Sequence, residues 1–168
     1  LSQALMLVTD YRGQSIAVNP SGKRMLGWDE EQMVGKFIAD FLHPDDVAGA
    51  AVNTERLARG ATTLAFETRY RCTDGTYRVL DWTAVPDDGH IHGIGRDITE
   101  YRRLAKDSER IWNISPVLKV VMDLGGKISN MNPSWTNVLG WTSQETIGHN
   151  GWDCVGDEAA DRSAARRT

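Results

Sequence analysis

A repeat dominates this chain. Asn19-Pro20-Ser21 returns as Asn132-Pro133-Ser134, Leu26-Gly27-Trp28 as Leu139-Gly140-Trp141, and Val34-Gly35 as Ile147-Gly148, each pair 113 residues apart. Asp10 and Asp123 keep the same offset. Separate short motifs do not hold one ungapped spacing by chance, so the chain carries two copies of one module. The second copy opens near Leu118 and runs to Thr168, far shorter than the first, so it is expected to be the N-terminal half only.

The first copy reads as strands, then short helices, then strands. Leu5 to Asp10 and Gln14 to Val18 flank the turn at Tyr11-Arg12-Gly13 as a hairpin. Asn19-Pro20 predicts a short helix, with Asn19 as its cap and Gly27 as its end. Asp29-Glu30-Glu31 starts another turn of helix, stopped by Gly35. Pro44-Asp45-Asp46 opens a longer helix whose apolar positions Val47, Ala50, Ala51 and Leu57 fall broadly on one face until Gly60. Thr63 to Cys72 alternates apolar with charged residues, and Asp74-Gly75 turns the chain into Tyr77 to Val85. A hairpin at Pro86-Asp87-Asp88-Gly89 leads into Ile91 to Asp97. That order is an α+β arrangement on one antiparallel sheet.

Composition narrows the function classes. Net charge is −4, from 19 basic and 23 acidic residues mixed along the chain, which gives no surface for nucleic acid. Cys72 and Cys154 fall in different copies, so no disulfide framework is expected and a reducing, cytoplasmic setting fits. The longest apolar run, Ala4 to Val8, cannot span a bilayer. No phosphate-cradling glycine loop, metal-ligand cluster or ordered nucleophile–base pair appears, so no catalytic residue is assigned and the chain is not expected to be an enzyme by itself.

Taken in order, these motifs resemble the PAS family: Asn19-Pro20-Ser21, Leu26-Gly27-Trp28, Val34-Gly35, His43-Pro44-Asp45-Asp46, Phe66 to Arg71 with Asp74-Gly75 and Trp82, and Gly93 to Glu100. The resemblance implies a five-stranded antiparallel sheet with short helices on one face, followed by a linker helix and a partial second PAS domain. The expected division is 1–98, 99–113 and 114–168. It also implies the sensory module of a multidomain signal-transduction protein: a two-component sensor histidine kinase, or alternatively a diguanylate cyclase or phosphodiesterase, or a ligand-free dimerisation module.

A ligand pocket between sheet and long helix would be lined by Leu42, Val47, Leu57, Phe66, Thr68, Tyr70, Leu80 and Trp82. The cofactor is left unknown. A flavin–cysteine adduct is not supported, because Cys72 sits at a strand end rather than in a helical Asn-Cys-Arg motif. Haem is not supported either, because residues 44–60 contain no histidine. His43 is read as a cap or packing residue, His90 and His92 as a solvated hairpin without a third metal ligand, and Trp28 and Trp141 as packing residues.

Signal coupling is assigned to Asp97, Ile98, Glu100 and Tyr101. Asp97 is expected to cap the linker helix while Glu100 reaches back to it. The stripe Ile98, Tyr101, Ala105, Ser108 and Trp112 suits pairing with a second copy, so a homodimer through this helix or a PAS face is expected; folding back on its own domain is the alternative.

Overall fold

The computed structural model describes residues 3–62 and 64–151, in two compact units that divide after Arg103. In the first, β1 (Leu5–Asp10) and β2 (Ser15–Val18) lead into α1 (Ser21–Leu26), α2 (Glu30–Met33), a 3-10 turn (Ile38–Phe41) and α3 (Pro44–Ala58). Then come β3 (Leu64–Arg71), β4 (Tyr77–Asp87), β5 (His90–Asp97) and the helix α4 (Thr99–Ile114). The five strands form one antiparallel sheet in the order β2-β1-β5-β4-β3.

Strand alternation decides what the sheet buries. Leu5 and Leu7 of β1, Leu80, Trp82 and Ala84 of β4, and Ile91 of β5 face the helices, which return Leu26, Met33, Phe41 and Leu57. Each such large side chain contributes roughly 1.5–3 kcal/mol by leaving water. The opposite face leaves Met6, Ile16 and Ile94 exposed, with Met6 and Ile94 paired in register.

Glycines 93 and 95 are part of this packing. On the inner face of β5, a Cβ at Gly95 would lie 2.9 Å from Cζ2 of Trp82, and one at Gly93 would lie 3.1 Å from its Cε3. The two bare positions let the indole lie flat across the neighbouring strand.

Two local expectations are corrected. Asn19 does not cap α1; its Oδ1 accepts from Met6 N–H and its Nδ2 donates to the Ala4 carbonyl, so it braces β1 instead. The last hairpin turns on Asp88-Gly89 alone, both at positive φ, with β4 continuing through Pro86 and Asp87. Asp-Gly favours this tight turn, and Pro86 lies beyond Ala84, where the pairing of β4 with the first residue of β3 begins, a strand-end position that tolerates proline.

The second unit contains β6 (Val120–Met122), β7 (Ile128–Met131), a π-helical turn (Trp135–Leu139) and α5 (Ser143–Thr146). Ile128, Met131 and Trp135 form its small core, with Val120, Leu139 and Trp141 against them. Cys154 and the remainder of the second copy lie outside the described residues.

Candidate functional site

Beneath α3, the inner face of the sheet lines a partly open cavity of about 40 Å³. Leu7 and Thr9 of β1, Phe66, Thr68 and Tyr70 of β3, Trp82 and Ala84 of β4, and Ile91 and Gly93 of β5 form its floor; Ile38, Leu42, Ala50, Thr54 and Leu57 form its roof. Six of the eight residues expected to line a pocket are here: Leu42, Leu57, Phe66, Thr68, Tyr70 and Trp82. Val47 instead lines an adjoining outer groove of about 320 Å³, between α3 and the turn at Tyr11–Gly13. Leu80 lies entirely inside the packed core beside α1 and α2 and reaches neither space.

The roof is held by an ion pair that sequence reasoning did not single out. Asp46, in the first turn of α3, accepts from the Arg69 backbone N–H at 2.7 Å and from its guanidinium Nε at 3.0 Å and Nη2 at 2.6 Å. The guanidinium beside it holds the Asp46 carboxyl below the usual range, burial opposing. The signal was present: Arg69 occupies the outward parity of β3, and His43-Pro44-Asp45-Asp46 puts carboxylates at a helix start where they can meet it. His43 caps that helix, its Nδ1 accepting from Asp45 N–H at 3.3 Å, and packs edge-on against Tyr77 at 4.8 Å.

The cavity wall is apolar apart from a few fixed polar groups. No lining residue is an acid, a base or a histidine. Burial pushes the Tyr70 phenol up, so it stays neutral, and its ring tilts against Trp82 at 5.5 Å. Among the described residues, four buried side-chain polar atoms have no hydrogen-bond partner: Ser15 Oγ, Thr68 Oγ1, Trp82 Nε1 and Trp135 Nε1. Thr68 and Trp82 both line this cavity.

The other ring and thiol candidates are structural. Trp28 Nε1 donates to the Arg71 carbonyl at 2.7 Å, and its ring meets Phe41 edge-on. Cys72 is buried and free, its backbone N–H bonded to the Thr76 carbonyl across the Asp74-Gly75 turn. Trp141 packs against the small core of the second unit. His90 and His92 sit on β5, paired with Asp87 and Val85 of β4. No group of three or more potential metal ligands occurs among the described residues.

At the end of β5 the joint to α4 differs from the expected capping box. Asp97 Oδ1 accepts from Thr99 N–H at 2.9 Å, its other oxygen pairs with Arg78, and Thr99 Oγ1 accepts from Val79 N–H at 2.9 Å. Ile98 donates its N–H to the Val79 carbonyl. Glu100 turns outward to Arg103 at 2.7 Å, because a guanidinium one turn along offers two donors where the backbone offers one. Arg102 reaches Glu67 on β3 at 3.0 Å. Tyr101 is exposed. The Asp97 carboxyl is pushed up by burial, but its hydrogen bonds from Thr99 and Arg78 outweigh that and leave it below the ordinary value.

Comparison with known proteins agrees with this geometry. Residues 1–103 match the family described as the PAS fold, and residues 105–167 match the family described as the PAS domain. White collar 2 protein of Neurospora crassa is 31% identical over 86 residues, which is 51% of this chain; the chain spans 15% of that protein's length. Among solved structures, the PAS domain of the Cronobacter turicensis RpfR quorum-sensing receptor in complex with C12:0 superposes with a TM-score of 0.55 at 17% identity, covering 59% of this chain and 97% of that one. A PAS domain from Colwellia psychrerythraea gives 0.54 at 24% identity, covering 59% and 89%. A domain of a sensory box sensor histidine kinase/response regulator from Geobacter sulfurreducens gives 0.52 at 23%, covering 57% and 84%. With a five-stranded antiparallel sheet under a helical cover, and its front half repeated, the chain belongs to the PAS family and carries a tandem PAS region.

Proposed function

We propose that this chain is the cytoplasmic input region of a larger two-component sensor histidine kinase. Its parts would be a sensing PAS domain over 1–98, a coupling helix over 99–113 and the front half of a second PAS domain over 114–168. One observation carries the reading: the cavity between the inner sheet face and α3 is lined by β4 and β5, the strands whose ends hold Arg78, Val79 and Asp97 at the root of α4. A molecule that favours one arrangement of those strands would bias the helix, because a ligand shifts a two-state element by its differential affinity. The neighbouring PAS domain solved in complex with C12:0 supports the binding of a small molecule. The exposed stripe Tyr101, Leu104 and Ile111, and the exposed pair Met6 and Ile94, support homodimer formation.

The test uses the full-length protein. Native mass spectrometry of freshly purified material should find a co-purifying small molecule, and autophosphorylation from ATP should change on its removal. A protein that carries no molecule, and whose output is unchanged when Trp82 or Thr68 is altered, would favour a ligand-free dimerisation module. Nucleotide cyclisation in place of autophosphorylation would favour the diguanylate cyclase alternative.

A further inference from the structure

The cavity has a polarity of its own. Thr68 and Trp82 are each more than nine-tenths buried, on the same face of neighbouring strands and diagonal to one another, Thr68 opposite Leu80 and Trp82 two residues on. Neither Thr68 Oγ1 nor Trp82 Nε1 has a partner in the protein. Buried polar atoms are satisfied in the great majority of cases, so two orphans carried by residues that line one cavity mark where a bound group belongs.

Their chemistry fixes what that group presents. An indole N–H only donates, whereas a threonine hydroxyl donates or accepts. The occupant must therefore bring an acceptor to Trp82, and Thr68 can supplement it in either sense. No cation lines the space, and an unpaired anion moved there from water would lose far more than it gains. Size then fixes the shape. About 40 Å³ is well below the roughly 150 Å³ of a cavity that takes benzene, so only a head group enters. The outer groove, at about 320 Å³, falls in the range of roughly 300–1,000 Å³ typical of ligand pockets. Ile38, Leu42, Ala50 and Thr54 line both spaces, so the two adjoin.

We propose that this domain binds an uncharged amphiphile, whose carbonyl or hydroxyl oxygen accepts from Trp82 Nε1 beside Thr68 and whose apolar body lies in the groove along α3. This rests on the sensory reading above and gives its ligand a chemical class.

The test uses the whole chain with two probes of equal length, 2-octanone and octanoate, at about pH 7.5, where the acid is ionised. Indole N–H resonances are followed by NMR with Trp82 assigned, and affinity is read by titration. The ketone should shift the Trp82 indole proton downfield and leave the other five indoles unmoved, with octanoate at least about tenfold weaker. Thr68→Val should raise the melting temperature of the ligand-free chain, since it removes an unpaired buried hydroxyl. It should also weaken the ketone at least about fivefold, and Thr68→Ser should restore binding. Octanoate binding as tightly as the ketone, ketone binding without movement of Trp82, no binding of either probe, or Thr68→Val lowering the melting temperature with affinity unchanged would each overturn the proposal. Those outcomes leave the sensory reading standing if a co-purified molecule still changes autophosphorylation; the sensory reading fails on that measurement, whichever probe binds.

Discussion

Asp29 and Gln32 close a reciprocal capping box on α2 in the first copy, and Thr142 and Glu145 close the same box on α5 in the second. Asn19 braces the Met6 N–H and the Ala4 carbonyl; Asn132 braces the Lys119 N–H and the Val117 carbonyl. The irregularity in β1 falls between Val8 and Thr9, and that in β6 between Val121 and Met122. Burial does not repeat in this way. β1 lies between β2 and β5 and buries Leu5, Leu7 and Thr9, whereas β6, among the described residues, pairs only with β7 and buries none of its own. Caps, braces and bulges are thus written into a short stretch of chain, while a strand's core face is created by partners distant in sequence.

The sharpest way to break this comparison is to separate the copies. Residues 1–114 expressed alone should melt cooperatively, and residues 114–168 alone should not, because a two-stranded sheet is marginal in water. A cooperative calorimetric transition in the monomeric second segment would show that the local devices suffice.

The two asparagines should then differ in weight. Asn132 is fully buried, and besides its brace its Nδ2 donates to the Trp112 and Ser115 carbonyls. Asn132→Ala should cost on the order of 2–3 kcal/mol of local stability, read as faster hydrogen exchange at the Lys119 amide. Asn19→Ala, in the same place of the first copy but only partly buried, should cost about 1 kcal/mol at Met6. Equal effects would mean that the extra bonds to Trp112 and Ser115 contribute nothing.

Gly95→Ala probes the seat of Trp82 in the first copy. Its methyl must displace the Trp82 ring, at a cost of about 2 kcal/mol in chemical denaturation, while exchange in the second unit is unchanged. A neutral result would show that the indole moves freely.

The smallest effect should come from acid. Asp46 and Asp97 titrate below the usual carboxylate value in the folded first unit. Their contribution is complete above about pH 3.9, the unfolded value, and is lost as pH falls through the lower folded values. Stability of residues 1–114 should decline with falling pH in that window. Asp97→Ala should flatten the decline and remove roughly 0.5–2 kcal/mol at neutral pH. A wild-type profile retained in Asp97→Ala would transfer the dependence to the other lowered carboxylates, Asp46, Asp74 and Glu100.

Much of this architecture was legible because it is local. The repeat, the alternation through Phe66, Thr68 and Tyr70, and the glycines ending α1 and α2 each follow from a few consecutive residues. Where the sequence misled, the partner was remote. Leu80 shares the inward parity of Trp82, and only the positions of α1 and α2 show that it is fully packed. Val47 shares a helix with Ala50 but turns to the outer groove. Leu7, Thr9 and Ile91 line the cavity because β1 and β5 lie at the centre of the sheet, and strand order is invisible to periodicity. One remote contact did leave a trace: Gly93-Ile94-Gly95 places bare positions where a large ring on the next strand can rest, and Trp82 is such a ring.

α4 runs for sixteen residues without burying one of them. A helix of that length is close to the helix–coil balance in water when nothing packs against it. It is supported by the Asp97 and Thr99 bonds at its start, by Arg102 on Glu67, and near its end by the bond that Asn132 Nδ2 donates to the Trp112 carbonyl. Its middle, from Leu104 to Arg110, has the least to lose by opening. Its amides should exchange with solvent orders of magnitude faster than those of β4 or β5, and a protease should cut there first. Helical order in this segment is therefore an adjustable quantity, raised by anything that covers Leu104 and Ile111 and lowered by anything that loosens the root at Asp97.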